Sequence, residues 1–124
     1  MDPTTDFFEG LNHRPPDPLL TRVRGTLRFE LTQGEKVEHW LLVLSAGSVS
    51  ATQADRPADC TVRTDRGFFD LIAKGEANPF ASLLRNRVSV EGKLLLYSYL
   101  NHLVPGPSDA HTPREWARER GLRR

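Results

Sequence analysis

ADCTVRTDRGFFDLIAKGEANPFASLLRNRVSVEGKLLL, running from Ala58 to Leu96, changes its hydrophobic period twice within one short segment. Cys60, Val62 and Thr64 alternate with Thr61, Arg63 and Asp65, the two-residue period of a half-buried strand. Asp65, or Thr64 beside it, is placed to cap a helix, because a short side-chain oxygen accepts a bond from an otherwise orphaned amide of the first turn. Phe68, Leu71 and Ile72 follow at helical spacing, and Gly75 is placed to end that helix in a left-handed conformation that a Cβ would disfavour. Asn78 then caps a second helix. Pro79 fits its first position, where no amide donor is needed, and Phe80, Leu83 and Leu84 form its apolar stripe. Val88, Val90, Gly92, Leu94 and Leu96 return to period two, with Ser89, Glu91 and Lys93 facing the other way. The reading is strand, helix, helix, strand, and both helices belong on one face of a sheet, where all four apolar faces leave water together.

Upstream, Thr4 to Asp6 are expected to cap a short helix carrying Phe7, Phe8 and Leu11, ended by Pro15, Pro16 and Pro18. Leu19, Leu20 and Val23 suggest a further helical turn. Gly25 opens a first strand with Leu27, Phe29 and Leu31 inward, and Thr32 to Glu35 form a turn of hairpin length. In the second strand, Val37 to Leu44, both parities are mostly apolar: Trp40, Leu42 and Leu44 on one side, Val37, His39, Leu41 and Val43 on the other. A strand covered on both faces reads this way. Ala46-Gly47 makes the next turn, and Ser48 to Thr52 a short third strand with Val49 and Ala51 inward. Consecutive strands joined by short turns are antiparallel. After the last strand, Leu96, Leu100 and Leu103 are spaced for a helix that Pro105-Gly106-Pro107 stops. Thr112 to Glu115 have a capping-box pattern that opens an Arg-rich tail helix anchored by Trp116.

The chain has 124 residues, enough for one domain with a substantial core. Its 17 basic and 16 acidic residues leave a net charge of +1, which provides no broad field to concentrate nucleic acid or anionic lipid. One cysteine excludes an internal disulfide, and Cys60, on the apolar parity of its strand, reads as a buried, inert thiol. His13, His39, His102 and His111 lack the spacing of metal ligands on a helix face. The acids Asp65 with Asp70 and Glu35 with Glu38 have ordinary capping and solvation roles, and the glycines form neither a dinucleotide fingerprint nor a phosphate loop. No catalytic group, metal or cofactor is expected. The tail arginines Arg114, Arg118, Arg120, Arg123 and Arg124 are interleaved with Glu115 and Glu119, the pattern of a solvated helix face. No segment approaches the ~20 apolar residues of a membrane span, the opening residues lack a charged leader, and the last three are no peroxisomal tripeptide, so a soluble cytoplasmic protein without stable membrane insertion is expected.

The run Ala58 to Val62, then Phe68 to Leu71, Gly75 and Val88-Ser89-Val90-Glu91-Gly92 followed by three leucines, resembles the sterol carrier (sterol-transfer) family of small lipid-binding domains. Gly25 to Leu31 with His39-Trp40 extend the likeness over about residues 20–104. The resemblance implies an α+β fold, with a five-stranded mostly antiparallel sheet, helices packed chiefly on one face and an N-terminal helix against the sheet. It also implies an apolar tunnel between helices and sheet. The implied lining is Trp40, Phe68, Phe69, Ile72, Phe80, Leu83, Leu84, Leu96 and Leu100. Phe68 and Phe69, about 100 degrees apart on a helix, cannot share one seam, so one can face the sheet and the other the neighbouring helices. Two departures, Arg87 where the family often has glycine and Lys93 where it often has an acidic residue, fall around the last strand, at the mouth of such a cavity.

The expected ligand is an apolar small molecule: lipid, sterol or fatty acyl group. The rival reading is a non-enzymatic interaction module with a filled core, whose two-sided second strand and Trp40 mark a homodimer or partner surface. The expected division is a lipid-binding domain over 1–107 and a linker with a helical tail over 108–124. On that division, a chain ending at Gly106 should melt within ~8 °C of the full chain, a shift of roughly 1–2 kcal/mol in a small domain; a larger fall would show Trp116 docked into the core.

Overall fold

A computed structural model describes residues 2–105; the expected linker and tail helix, from residue 108 onward, lie outside the described residues. The element order is α1 (Pro3–Leu11), a 3-10 turn (Pro18–Leu20), β1 (Arg24–Gln33), β2 (Lys36–Ser45), β3 (Ser48–Thr52), β4 (Cys60–Asp65), α2 (Arg66–Ala73), α3 (Pro79–Leu84), β5 (Ser89–Gly92), α4 (Leu94–Ser98) and α5 (Leu100–Leu103). The five strands form one sheet in the order β3-β2-β1-β4-β5. All neighbouring pairs are antiparallel except β1 with β4, which run parallel with Leu27 opposite Cys60 and Phe29 opposite Val62.

The inward parity is as expected from the period-two pattern. Leu27, Phe29 and Leu31 of β1, Leu42 and Leu44 of β2, Val49 and Ala51 of β3, and Cys60 and Val62 of β4 are all buried. The helices cover this face. Phe8 of α1 lies at the centre, stacked on Trp40 (ring centroids 4.6 Å apart, planes 14° apart) and on Phe69 (5.4 Å, 1°), with the Phe29 ring edge-on at 5.1 Å. Offset and edge-on aromatic pairs contribute roughly 0.5–1.5 kcal/mol each beyond the area they bury. α1 is therefore a structural part of the core, and its N-cap is Asp2 and not a residue from Thr4 to Asp6: the Asp2 carboxylate accepts from the Thr5 amide.

The outer face of the sheet is not covered by a second layer, so the expectation of a strand sandwiched on both sides is corrected. Val37 is 47% exposed and His39 and Val43 are half-buried; only Leu41 reaches burial. The apolar parity of β2 is satisfied differently. The loop from Gln53 to Asp59 carries the chain from β3, at one edge, past β2 and β1 to β4. Asp55 in this loop meets Arg28 at 3.2 Å and lies 3.7 Å from His39, both on the outer face. Arg28 also pairs with Glu30, which accepts from Arg63 at 2.6 Å, and Arg63 pairs in turn with Glu91 at 2.7 Å.

The capping chemistry read from Asp65 and Gly75 is present. The Asp65 carboxylate accepts from the Phe68 amide at 2.7 Å. Gly75 has φ +82°, and the amides of Gly75 and Glu76 donate back to the Ile72 and Leu71 carbonyls, the paired bonds that close a helix with a left-handed residue. The last strand is shorter than its alternation suggested. It ends at Gly92, and Leu94 and Leu96 belong to α4. Gly92 has φ +96°, and a Cβ there would sit 2.3 Å from the Asp59 carbonyl oxygen, so the chain must turn out of the sheet at a residue without a side chain. The Lys93 amide then donates to that same carbonyl at 2.9 Å. Three leucines in a row satisfy a strand or a helix, and the turn at Gly92 selects the helix.

A cluster around Arg66 ties the helical layer to the sheet. Its guanidinium meets Asp2 at 2.6 Å, Asp70 at 2.9 Å and Glu38 at 3.2 Å, and Asp70 also accepts from the Thr4 hydroxyl at 2.6 Å. The bond from Arg66 holds the Asp2 carboxyl well below the usual carboxylate range, against an opposing effect of burial.

Two outcomes follow from this packing. Gly92→Ala should lower stability by roughly 2 kcal/mol or more in chemical denaturation, since left-handed strain and the carbonyl clash add. Asp2→Asn should be less stable than wild type at neutral pH. Because the folded pKa of Asp2 is depressed, its contribution is complete above about pH 4 and is lost as pH falls further, so the two melting curves should converge only on the acid side.

Candidate functional site

The residues expected to line a tunnel are separated by the structure into three groups. Trp40, Phe69, Ile72, Leu96 and Leu100 are buried within one contiguous cluster, with Trp40 only 3% exposed. They form the filled core between helices and sheet. Trp40 is thus covered by its own chain and cannot mark a partner surface. Phe80 and Leu84 point outward, 53% and 69% exposed, and Leu83 is half-buried against the core. The buried positions of α3 are Pro79 and Ser82, so the expected stripe of Phe80, Leu83 and Leu84 is not the packed face of this helix. Only Phe68 stands at a wall between core and solvent.

One open space lies between α2 and α3. A groove of about 510 Å³ is lined by Phe68 and Leu71 from α2, Glu76, Ala77 and Asn78 from the link, and Ala81, Ser82, Arg85 and Arg87 from α3 and beyond. The α2 geometry explains it. Phe69, Ile72 and Ala73 take the sheet-facing side, which leaves Phe68 and Leu71 on the flank toward α3. The two phenylalanines diverge as neighbours on a helix must. Leu71, which its spacing placed against the sheet, is half-buried in the groove instead.

α3 has few apolar contacts and is held at both ends by hydrogen bonds. Asn78 caps it by accepting from the Ala81 amide at 2.9 Å. The buried Tyr97 hydroxyl, from α4, donates to the Pro79 carbonyl at 2.6 Å, and burial pushes that phenol above its ordinary pKa. At the other end the Thr64 hydroxyl of β4 donates to the Arg87 carbonyl at 2.8 Å, and the Arg87 amide donates to the Ser82 carbonyl at 2.9 Å. Asn86, between them in the chain from Arg85, has φ +62° and turns the backbone back toward the sheet. These bonds bring the Arg87 guanidinium over the Phe68 ring, 4.2 Å from its centroid.

A second depression, of about 550 Å³, lies between α1, the end of α2 and α5; it is more open to solvent and is lined by Phe7, Leu11, Ala73 and Leu103 together with Asp6, Arg14 and Lys74. A cleft of about 100 Å³ separates Phe80 from Tyr97, Ser98 and Asn101. Among the described residues no cluster of three His, Cys, Asp or Glu could hold a metal ion. Cys60 is buried, and desolvation pushes its thiol up to about 11, so it is no nucleophile near neutral pH. No helix among the described residues is long and apolar enough to cross a membrane. Sequence periodicity missed Leu71, Ala77, Ala81 and Arg85 as groove residues. Arg87 carried a signal, since it stands where the resembled family often has glycine.

A mixed five-stranded sheet with helices packed on one face and grooves among them defines a small α+β domain. The chain belongs to the SCP-2 sterol transfer family, whose model matches residues 8–104. Solved structures share the fold. Sterol carrier protein 2 from Yarrowia lipolytica, in its apo form, is 16% identical with a TM-score of 0.61, over 81% of this chain and 85% of that one. The palmitated sterol carrier protein 2-like 2 from Aedes aegypti is 17% identical with a TM-score of 0.66, over 90% and 98%. The stereoselective inverting sec-alkylsulfatase from Pseudomonas sp. is 19% identical with a TM-score of 0.64, over 86% of this chain but only 16% of the sulfatase. No curated protein sequence matches.

Because α3 hangs on so few bonds, Tyr97→Phe should cost about 1–2 kcal/mol by leaving the Pro79 carbonyl unpaired. Amide hydrogen exchange in α3 should rise more than in β1; equal protection of α3 in both proteins would show that the hydroxyl does not anchor it.

Proposed function

We propose that this domain binds a lipid-like apolar molecule without chemically altering it, and that the ligand lies in the groove between α2 and α3. The observation that carries this reading is the groove itself: an apolar floor of Phe68, Leu71, Ala77 and Ala81, open to solvent, in a chain of the sterol transfer family. Its volume, about 510 Å³, falls within the 300–1,000 Å³ of small-molecule sites. Binding needs no catalytic group, because moving apolar surface out of water contributes roughly 25 cal/mol per Å². A protein of the same fold was solved palmitated, which supports an acyl chain as the kind of group taken up.

The filled core sharpens the proposal. A ligand placed between helices and sheet would have to displace Phe69, Ile72 or Leu100, whereas the groove accepts one without repacking the aromatic stack. Opening a core of close-packed side chains costs several kcal/mol. Occupying a surface groove does not.

Ala81→Trp tests the location. A half-buried alanine on the groove wall has room for an indole, so the melting temperature should stay within ~2 °C of wild type, while uptake of the apolar dye Nile red by delipidated protein should weaken at least tenfold. Equal uptake by the variant places the ligand elsewhere. No uptake by wild type at micromolar protein removes the binding reading, and sedimentation would then examine the homodimer in its place.

A further inference from the structure

We propose that Arg85 and Arg87 make the groove selective for a single-chain amphiphile with an anionic head, specifically a long-chain carboxylate, over a neutral alcohol or sterol. This deepens the reading of the groove as a lipid site and rests on it. Both arginines line the same groove as the apolar floor. Among the described residues neither forms an ion pair, which is also true of Arg22, Arg24 and Arg56; what sets Arg85 and Arg87 apart from those three is that they line a groove with apolar side chains. The one acid on the groove, Glu76, lies 3.6 Å from the Lys74 ammonium, so its charge is partly met from outside. The groove therefore presents two uncompensated cations beside an apolar surface.

The position of Arg87 is built by the fold. Its carbonyl accepts from Thr64, its amide donates to Ser82, and its guanidinium carbon stands over the Phe68 ring, 4.2 Å from the centroid. A guanidinium held over an aromatic ring by cation–π attraction, with no hydrogen-bond partner on its nitrogens among the described residues, has N–H donors free to match the two oxygens of a carboxylate. Arg85 alone has a plain structural reading, since it follows α3 and a cation is favourable at a helix C-terminus. That reading does not cover Arg87, which is two residues beyond the helix and spends its charge on no carbonyl or carboxylate. Phe68 joins the two parts of the site: one buried ring carries the cation and also walls the apolar floor. An amphiphile with its chain along Leu71 and Ala81 and its head at Arg87 satisfies both at once; a neutral head leaves both cations without a counter-charge.

Displacement of Nile red from the delipidated full chain at pH 7.4 tests this, with laurate, dodecanol and dodecyl phosphate as competitors of equal chain length. Laurate should displace the dye at a concentration at least tenfold below that of dodecanol. In Arg87→Gln, and in the double variant Arg85→Gln with Arg87→Gln, that preference, taken as the ratio of laurate to dodecanol competition against each variant's own dye affinity, should shrink to less than threefold. High salt should narrow it too, because the groove is open to solvent. Equal competition by laurate and dodecanol in wild type, or a preference that survives the double substitution, overturns the proposal while leaving the lipid site intact. Stronger competition by dodecyl phosphate than by laurate overturns the commitment to a carboxylate. Failure of wild type to bind Nile red removes the site and this inference with it.

Discussion

Arg66 occupies the first position of α2, where the partial positive charge of a helix N-terminus disfavours a cation, and it is buried there. Three carboxylates from three elements make that place tenable: Asp2 at the cap of α1, Glu38 on β2 and Asp70 one turn along α2. Because a buried charge stripped of its partners costs several kcal/mol, the arrangement is all or nothing. α1 must bring Asp2 to the cluster, and doing so sets Phe8 between Trp40 and Phe69. Glu38 is drawn from the other side and accepts as well from the Trp40 indole, so one acid positions both the cation and the aromatic wall. The polar cluster fixes the direction of α1 and the aromatic stack supplies the area.

With the aromatic rings closing the layer above β1 and β2, open space is left at the flanks of the helical layer, and one such flank is set by the shortness of α3. α3 is six residues long and buries a proline and a serine. It cannot seal against α2, and the gap is the groove. The exposure of Phe80 and Leu84 has the same origin: a helix held by end-on hydrogen bonds leaves its apolar stripe in water. A domain that stores its stability in β1, β2 and α1 can carry a loosely attached flank without endangering the fold, and a binding surface is best placed on such a flank.

Several elements were legible from Ala58 to Leu96 because their signals are local. Asp65 and Asn78 cap the helices that follow them, Gly75 closes α2, and the alternation of Cys60, Val62 and Thr64 has the burial it implies. The divergence of Phe68 from Phe69 was equally local, a matter of helical geometry. Three readings failed where partners are remote. Leu94 and Leu96 fit a strand until the Asp59 carbonyl, thirty-three residues from Gly92 in sequence, forces the turn there. Leu41 and its neighbours suggested a covered outer face, where a crossing loop and charged side chains do that work. Phe80, Leu83 and Leu84 made a stripe with nothing opposite it to pack against.

Sequence alone determined the α+β class, the inward parity of the strands, the helix caps and the likeness to lipid carriers, because each depends on spacing along the chain or on short-range hydrogen bonds. Tertiary structure decided that β1 and β4 run parallel, that Trp40 and Phe69 close a core, and that a groove opens beside Phe68 and Leu71. It also decided that Arg87, a departure of unknown meaning in the bare sequence, stands over an aromatic ring at the edge of that space. Periodicity states which side chains leave water, but what they meet when they leave it depends on contacts between segments far apart in the chain.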